Sequence, residues 1–291
     1  MKQITVISGK GGTGKTTITA SFASLAERVV VADCDVEAAN MHLLLSPQEV
    51  YKEEFKGSKI ASIDEGKCIK CGVCEKLCRF DAIKAFQVDQ ILCEGCGVCE
   101  FYCPAKAITM NEKISGYVYV SKTRYGPLVY ANLKAAESNS GKLVSVVRLH
   151  GRQEAEKGAY DLILIDGSPG IGCPVIASLT GVNLAVIVVE PTFSGIYDMK
   201  RILEVVYHFK IRPTVIINRY DLNIGNTEEI VEFCNLNNID ILSKVPFDVN
   251  VVKANVEGKP VIEYRRTCGA SKEIYNAWRN IKKILSEARE K

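Results

Sequence analysis

The fold of this chain is decided by the segment Gly9-Lys10-Gly11-Gly12-Thr13-Gly14-Lys15-Thr16-Thr17, near its amino terminus. This segment contains the phosphate-loop pattern G-x-x-x-x-G-K-[ST], from Gly9 to Thr16. The residues before it, Gln3–Ser8, alternate and are rich in β-branched side chains, which predicts a strand, and the apolar spacing of Thr17–Glu27 predicts a helix. A strand, a glycine-rich loop and a helix in this order predict an α/β fold that holds phosphate at the start of the helix.

The residues of this loop have defined tasks when a nucleotide binds. Glycines allow successive backbone N–H groups to face the phosphate oxygens, Lys15 reaches the β- and γ-phosphates, and the Thr16 hydroxyl binds Mg²⁺. The alternative, a glycine-rich turn without a ligand, is disfavoured by the strand–loop–helix context. We therefore expect ATP, ADP and Mg²⁺ to bind through the loop residues Gly11, Gly12, Thr13, Gly14, Lys15, Thr16 and Thr17.

An additional lysine, Lys10, stands near the start of the loop. With it, the segment Lys10–Thr16 resembles the deviant phosphate loop of the MinD/Mrp/nitrogenase-iron-protein group of ATPases, and the resemblance extends over most of the chain outside residues 58–113. In that group the early lysine crosses a dimer interface to the partner's ATP. The resemblance therefore implies an ATP-dependent homodimer that hydrolyses ATP, with Lys10 and Lys15 in catalytic roles.

Two segments that carry aspartates are similar to the switch regions of the same group. The segment Ala32–Asp35 is similar to switch I, in which the aspartate that matches Asp35 orients the attacking water or its metal. The segment Asp166–Gly172 ends a predicted strand and is similar to switch II, whose aspartate, here Asp166, reaches Mg²⁺ through water. The resemblance thus makes Asp35 a third catalytic residue and Asp166 a residue of the Mg²⁺ site. For Asp33 and Asp35 the alternative is capping of a loop at the strand end.

A third group of residues is similar to the parts of MinD-type sequences that lie near the adenine. Asn218 ends a predicted strand at the place where related proteins contact the base, although an ordinary turn asparagine is the alternative. The segment Val245-Pro246-Phe247-Asp248, followed by Asn255, also resembles the sequence near the adenine. The resemblance therefore adds Asn218, Pro246 and Asp248 to the expected nucleotide site.

Eight of the twelve cysteines fall between Cys68 and Cys103, in two quartets that each have the spacing C-x2-C-x2-C-x3-C. This is the run of bacterial ferredoxins, in which three thiolates wrap one corner of a [4Fe–4S] cube and the fourth ligates the other cluster. The segment therefore resembles an inserted ferredoxin domain with two clusters. The expected ligands are Cys68, Cys71, Cys74 and Cys103 for the first cluster and Cys93, Cys96, Cys99 and Cys78 for the second.

Two alternatives to a pair of electron-carrying clusters stay open. Zinc sites of four thiolates usually separate two C-x2-C pairs by many residues rather than by two, so the spacing disfavours zinc. The other alternative is a purely structural role for both clusters. The second quartet repeats the first one 25 positions later, and this short repeat keeps the two clusters close together, which favours an electron path over a structural role. Arg79 replaces the proline that follows the first quartet in the family, and because proline is not a ligand, cluster binding does not depend on it.

The rest of the chain alternates apolar strands with helical segments, which predicts a parallel sheet covered on both faces. The expected strands are Arg28–Asp33, Leu143–Arg148, Leu162–Asp166, Leu184–Glu190, Pro213–Asn218 and Asp240–Val245, and the expected helices include Tyr197–Phe209, Thr227–Asn235 and Ser271–Glu290. We therefore predict a P-loop NTPase of the MinD type, an α/β fold with a mainly parallel sheet formed by residues 1–57 and 114–291. A small α+β ferredoxin-like domain is expected as an insertion at residues 58–113.

Charge and hydropathy exclude several classes of partner. The 37 basic and 34 acidic residues nearly cancel, which argues against nucleic acid. The longest apolar runs, such as Leu184–Val189, have strand length, so no transmembrane helix is expected, and the first apolar stretch is too short for a secretion signal. We therefore expect a cytoplasmic protein. The last helix, with Trp278 and Ile281 among basic residues, also fits an interfacial membrane helix, but its acidic residues favour packing on the sheet.

These motifs together favour a redox ATPase, in which ATP closes a homodimer and permits electron transfer through two [4Fe–4S] clusters to an unknown redox or metalloprotein partner. The alternatives are an iron–sulfur or metallocofactor assembly factor, a MinD-like positioning ATPase whose clusters sense redox state, and a nucleotide-binding ferredoxin with negligible turnover. Cys173 lies just beyond the expected switch II, where the nitrogenase iron protein has a cluster ligand. For this cysteine a small buried apolar role is the favoured interpretation.

Overall fold

The computed structural model describes residues 1–135, 137 and 139–287 of the 291-residue chain. The strands in this part of the chain are β1 (Lys2–Ser8), β2 (Val29–Asp33), β3 (Gln48–Phe55), β4 (Ser58–Ile63), β5 (Ile83–Lys84), β6 (Gln87–Val88), β7 (Ile108–Lys113), β8 (Gly116–Thr123), β9 (Gly126–Leu133), β10 (Leu162–Pro169), β11 (Leu184–Val189), β12 (Arg212–Asn218) and β13 (Asp240–Val245). The helices are α1 (Lys15–Leu25), α2 (Met41–Leu45), α3 (Val73–Leu77), α4 (Val98–Phe101), α5 (Ser140–Lys157), α6 (Cys173–Leu179), α7 (Phe193–His208), α8 (Ile224–Leu236), α9 (Val249–Val256), α10 (Val261–Tyr264) and α11 (Gly269–Glu287), with a 3₁₀ turn at Tyr220–Leu222.

These elements form two compact units. The larger unit comprises Met1–Lys52, Val118–Asn132 and Ser140–Lys291, and the smaller unit comprises Glu53–Tyr117 and Leu133–Asn139. The chain therefore leaves the larger unit within β3 and returns to it within β8. All eight clustered cysteines belong to the smaller unit.

A nine-stranded sheet organises the larger unit, in the order β13-β12-β11-β1-β10-β2-β9-β8-β3. Neighbouring strands from β13 to β9 run parallel, as predicted. Strands β1, β2, β10 and β11 are almost continuously buried runs of valine, isoleucine and leucine, which is the composition that strands need when helices cover both faces of a sheet. Because parallel strands end at one edge, the loops after β1, β2 and β10 lie close together there.

The helices of the larger unit pack on this sheet through aromatic and aliphatic side chains. The rings of Phe22 in α1 and Trp278 in α11 have centroids 5.3 Å apart, and both residues are buried in the same core cluster. Ile274 and Ile281 bury the rest of the apolar face of α11. This face is therefore packed in the core, as favoured from the sequence, while residues 288–290 of the predicted helix lie outside the described residues. No helix in the described part of the chain combines the length and the apolar character needed to cross a bilayer.

One predicted strand, Leu143–Arg148, is wrong because this segment lies inside helix α5. Its apolar residues Leu143, Val144 and Val147 stand one, three and four positions apart, which is helical spacing, and all three are buried. The run was too short for its period to distinguish a buried helix from a strand. Strands β3, β8 and β9, which complete the sheet, were not predicted from the sequence.

The smaller unit is built as a structural repeat. Antiparallel pairing joins β4 to β7 and β5 to β6. Ile63 pairs with Ile108, and Ile83 pairs with Val88. Ile63 lies 25 positions before Val88, and Ile83 lies 25 positions before Ile108. Helices α3 and α4 also start 25 positions apart. The repeat that is visible in the sequence is therefore also a repeat of backbone structure.

Candidate functional site

The phosphate loop occupies the turn between β1 and α1. Gly12 and Gly14 have positive φ angles of 80° and 91°, a region that glycine adopts without strain. The Asn218 side chain, at the end of β12, donates its Nδ2–H to the carbonyl oxygen of Thr13 at 2.7 Å. A Cβ atom on residue 14 would lie 2.5 Å from this Nδ2 atom. Glycine is therefore required at position 14 both by the backbone conformation and by the close approach of the Asn218 side chain.

Lys15 and Thr16 open α1 next to Asp166, which lies in β10. Thr16 Oγ1 donates to Asp166 Oδ2 at 2.6 Å, and Thr19 Oγ1 donates to Asp166 Oδ1 at 2.9 Å. Lys15 is only 5% exposed, and its charge opposes the rise in pKa that burial causes at Asp35 and Asp166. The loop thus brings together a buried cation, hydroxyl groups and two carboxylates, and hard oxygen ligands of this kind suit Mg²⁺ bound to phosphates.

Three aspartates at this edge of the sheet have different roles. Burial raises the pKa of Asp166 to about 6. Asp33 is completely buried beside it, and burial raises the pKa of Asp33 well above its usual range. The Asp33 carboxylate accepts the backbone N–H groups of Asp35, Asn40 and Met41, which is the capping role that was its alternative assignment. Asp35 is partly buried, which raises its pKa as well.

Lys10 is directed toward the segment between β11 and α7 of its own chain. Its Nζ atom lies 3.0 Å from Thr192 Oγ1, 3.4 Å from Ser194 Oγ and 3.7 Å from Glu190 Oε2. The other oxygen of Glu190 pairs with Arg219, next to Asn218. Oxygen acceptors of the same chain thus hold the early lysine, and reaching a second subunit requires Lys10 to exchange these contacts for others.

We expect Lys10→Ala to leave nucleotide affinity near that of the wild type but to lower ATP-dependent self-association and ATP hydrolysis at least about tenfold, since a cation supplied to a partner's phosphates stabilises the transition state strongly. Sedimentation with a non-hydrolysable ATP analogue and a phosphate-release assay measure the two effects. Lys272→Ala, which removes an exposed lysine of α11, is the matched control. A fully active Lys10→Ala protein would leave an ordinary phosphate loop without the early-lysine mechanism.

A cavity beside the loop gathers the residues that were predicted to lie near the base. Its walls include Gly14, Thr17, Asn218, Pro246 and Asp248. The Asp248 carboxylate accepts the backbone N–H groups of Asn250 at 2.9 Å and Ala270 at 3.2 Å. Partial burial opposes ionisation, but these donors lower the pKa of Asp248 to about 2. Asp248 therefore shapes the wall while its carboxylate is occupied by backbone donors.

The clustered cysteines line two cavities of the smaller unit. Cavity 1 is lined by Cys68, Cys71, Cys74 and Cys103, and cavity 2 by Cys93, Cys96, Cys99 and Cys78. Most of the remaining wall is apolar, with Ile63 and Ile108 in cavity 1 and Ile83 and Met110 in cavity 2. The empty space, counting the part open to solvent, is about 330 Å³ in cavity 1 and about 340 Å³ in cavity 2. Each cavity thus receives three cysteines of one quartet and the last cysteine of the other.

The two cavities have the same local donors. The Ala82 N–H group donates to Cys78 Sγ at 3.4 Å, and the Ala107 N–H group donates to Cys103 Sγ at 3.2 Å. In both cavities the donor lies four residues after the cysteine that accepts the hydrogen bond. Within the part of the chain that the structure describes, no three Cys, His, Asp or Glu side chains converge closely enough to hold a single metal ion.

The cysteines outside the quartets and some residues near the loop were assigned less well from the sequence. Cys173, the first residue of α6, is exposed, so its interpretation as a buried apolar residue is wrong, whereas Cys34, Cys234 and Cys268 are buried. Thr19, the second hydroxyl donor to Asp166, was missed, although its position one helical turn after Thr16 was a usable signal. The contacts of Lys10 with Glu190 and Thr192 had no local signal.

Comparison with known proteins places the chain in a family. Residues 4–261 match the family described as the CobQ/CobB/MinD/ParA nucleotide binding domain. The chain is 37% identical over 254 residues to an uncharacterized protein of Methanocaldococcus jannaschii, with 86% of each chain covered. It is 23% identical over 286 residues to the iron–sulfur cluster carrier protein of Pyrococcus horikoshii, covering 92% of this chain and 81% of that protein.

A solved structure supports the same assignment at the level of the fold. The septum site-determining protein MinD of Pyrococcus horikoshii, complexed with Mg-ADP, is similar with a TM-score of 0.61 at 18% identity, covering 98% of this chain and 97% of that one. This similarity confirms the predicted α/β P-loop NTPase fold with its mainly parallel sheet. With the family match over most of its length, the chain belongs to the CobQ/CobB/MinD/ParA nucleotide-binding family, that of the MinD-type ATPases.

Proposed function

We propose that this chain is an ATP-hydrolysing iron–sulfur protein, in which a nucleotide-dependent homodimer couples ATP to electron transfer through two [4Fe–4S] clusters. The observation that carries the proposal is the interleaving of the cysteines. Each cavity combines three thiols of one quartet with the last thiol of the other, in a chain that also has a complete phosphate loop. This exchange of the fourth ligand is the pattern of ferredoxins with two clusters.

The spacing of the cysteines supports clusters over single zinc ions. A zinc ion draws four thiolates to about 2.3 Å from one point, and its sites usually separate two C-x2-C pairs by many residues, whereas each quartet here has the C-x2-C-x2-C-x3-C run of ferredoxins. The hydrophobic cluster at the centre of the smaller unit has four buried members among the described residues, Ala61, Cys74, Ile83 and Ile108. A unit with so small a core usually needs metals or cross-links to be stable. When bound, [4Fe–4S] clusters supply one-electron transfer.

The nucleotide part of the proposal assigns a task to each residue at the edge of the sheet. Lys15 and the loop N–H groups hold the β- and γ-phosphates, and Thr16 and Asp166 hold Mg²⁺. Asp35 orients the attacking water, and Lys10 reaches the nucleotide of a second subunit. Phosphoryl transfer depends on positioning and charge rather than on a histidine base, and these groups supply both. The contacts among Lys15, Thr16 and Asp166 support this assignment.

Nucleotide state and cluster potential are expected to be coupled, because the segment that carries Asp33 and Asp35 continues along the chain into the smaller unit. The coupling free energy between two linked sites is usually about 1–3 kcal/mol. For a one-electron couple, a tenfold change in the equilibrium constant corresponds to about 59 mV. Replacing ADP by a non-hydrolysable ATP analogue should therefore shift the midpoint potential of at least one cluster by several tens of millivolts. Potentiometric titration of the anaerobic protein measures the shift.

Two further measurements make this test decisive. Reciprocity requires the reduced and the oxidised protein to differ in ATP affinity by the matching factor. Asp35→Asn and Asp166→Asn should lose the shift while they keep the iron content of the wild type. Identical midpoints in both nucleotide states, together with identical nucleotide affinities in both redox states, would contradict the coupling.

One observation favours a second candidate, an iron–sulfur or metallocofactor assembly factor. A relative that covers 92% of this chain is the iron–sulfur cluster carrier protein of Pyrococcus horikoshii. In this candidate the clusters are cargo, and they should move to an apoprotein acceptor when ATP is supplied. Cluster transfer that depends on ATP, without a nucleotide-dependent potential, would favour assembly over electron transfer.

A further inference from the structure

The two halves of the smaller unit repeat in backbone but differ in charge around their cavities. Residues that line cavity 1 or directly adjoin its lining residues in sequence form four pairs with their counterparts 25 positions away at cavity 2: Lys67 and Leu92, Ile69 and Glu94, Lys70 and Gly95, and Lys106 and Asp81. At cavity 1 these positions carry three cations, and at cavity 2 they carry two anions. The difference is confined to side chains, because the repeat keeps the backbone of both halves similar.

The group of Lys67, Ile69, Lys70 and Lys106, here called the cationic mouth, is open to solvent. Ile69 is 66% exposed, the Lys67 side chain is 67% exposed, and Lys70 and Lys106 are also exposed. Cys71, which lines cavity 1 directly after Lys70, is exposed as well. An exposed apolar residue with a rim of charges of one sign is the usual composition of a transient docking surface.

Neighbouring acidic residues reduce this charge only in part. Asp64 Oδ2 pairs with Lys67 Nζ at 3.1 Å, and Asp64 Oδ1 accepts the Gly66 N–H group at 3.0 Å. Glu65 is exposed beside them. An exposed pair such as Asp64–Lys67 contributes little and exchanges its partner readily, so Lys67 stays free to meet another carboxylate. At cavity 2, Arg79 and Lys84, which follow the lining residues Cys78 and Ile83, offset two of the three anions Asp81, Glu94 and Glu100.

From this asymmetry we infer that cavity 1 is the docking end of the smaller unit and that its partner is an acidic one-electron carrier protein. The inference rests on the proposed function, because it names the cavity at which electrons enter the chain. A cluster held by Cys68, Cys71, Cys74 and Cys103 in cavity 1 would accept one electron from the reduced iron–sulfur cluster of the carrier, so the carrier would be oxidised and the chain reduced by one electron. No bond is made or broken and no proton moves. The carboxylates that repel such a carrier at cavity 2 leave the cationic mouth as its contact.

The test measures binding first and electron transfer second. Full-length protein with reconstituted clusters is titrated at low ionic strength with an oxidised plant-type [2Fe–2S] ferredoxin, an acidic carrier, by calorimetry. The double variant Lys67→Glu/Lys70→Glu should weaken the complex at least about tenfold, because like charges then face each other across the contact. The difference should fade above about 0.5 M salt, where the Debye length is only a few ångströms. The rate of cluster reduction by the reduced ferredoxin should fall in parallel.

The matched control is Lys59→Glu/Lys84→Glu, which makes the same change of charge at exposed lysines of the same unit that are not adjacent to the wall of cavity 1. It should change the affinity less than about threefold. Equal weakening by both double variants, tighter binding of single-stranded DNA than of ferredoxin, or no ferredoxin binding at any salt concentration would overturn the inference. If the protein keeps both clusters and its nucleotide-dependent potential in that case, the proposed function stands; if the wild-type protein holds no clusters, the proposed function fails first.

Discussion

Replacing Lys15 by alanine is expected to abolish the binding of Mg²⁺–ATP at micromolar nucleotide. The Lys15 side chain is almost fully buried, and its charge acts on the carboxylates of Asp35 and Asp166. Removing one partner of a buried charged interaction costs about 2–5 kcal/mol, which corresponds to an affinity loss of about 30-fold to several thousand-fold. Titration with a fluorescent ATP analogue measures this loss.

A second effect of the same substitution acts in the same direction. Burial already raises the pKa of Asp166 to about 6, and the Lys15 charge opposes this rise. Without Lys15, the pKa of Asp166 rises further, so more of this carboxyl is protonated near neutral pH and is lost as an Mg²⁺ ligand. Lowering the pH should therefore weaken Mg²⁺-dependent binding more in Lys15→Ala than in the wild type.

Two controls separate the charge of Lys15 from its packing. Lys15→Met keeps the buried aliphatic stem and should lose nucleotide affinity as Lys15→Ala does, with a melting temperature closer to that of the wild type. Lys253→Ala removes an exposed lysine of α9 and should bind as the wild type does. Wild-type affinity in both Lys15 variants would remove the assignment of this loop to the phosphates.

Replacing Cys103 by serine is expected to remove one whole cluster. The cluster that is lost is the one in cavity 1, not the one held by the other three cysteines of the quartet to which Cys103 belongs. The wild-type protein, purified anaerobically, should hold about eight irons and eight acid-labile sulfides, four of each in every cluster. Because Cys103 lines cavity 1 with Cys68, Cys71 and Cys74, Cys103→Ser should lower the content to about four irons. Iron and sulfide analysis together with the visible absorbance of the clusters measures the loss.

Double variants show which cluster has been lost. Adding Cys71→Ser to Cys103→Ser should cost no further iron, because both cysteines line cavity 1, whereas adding Cys96→Ser should remove the remaining cluster. The opposite result would place Cys103 with the other cysteines of its own quartet. Cys173→Ala, at an exposed cysteine outside both cavities, is the control and should keep about eight irons. About two zinc ions per chain instead would favour the zinc alternative.

Features that depend on neighbouring residues were predictable from the chain alone. The strand, loop and helix around Lys15 follow from apolar periodicity and from glycines at positions with positive φ. The two cysteine quartets likewise follow from a fixed spacing, and the structural repeat of the smaller unit has the same period as the sequence. Strand β13 was predicted at its observed bounds, Asp240–Val245, because its apolar run is bounded by clear turn signals.

Features that depend on distant residues required the folded structure. Thr16 meets Asp166 across 150 positions of sequence, and Asn218 fastens Thr13 across 205 positions. The resemblance to a family suggested that these residues belong to one site, but not that Asn218 acts through the loop backbone or that Lys10 is held by Glu190 and Thr192 in its own chain. Leu143–Arg148 was misassigned for a related reason, since a short buried run has similar composition in a strand and in a helix.

The sequence by itself determined the local motifs of this protein: a phosphate-loop pattern, aspartates at the ends of two predicted strands and eight thiols at ferredoxin spacing. It determined these because each depends on residue types at short, fixed separations, where backbone conformation and hydrogen bonding are local. The tertiary structure alone decided which carboxylate meets which hydroxyl, which side chain fastens the loop, and around which cavity each cysteine lies. These contacts follow from the order and register of strands that are far apart in the chain, and packing of the whole sheet, rather than any local pattern, selects that order.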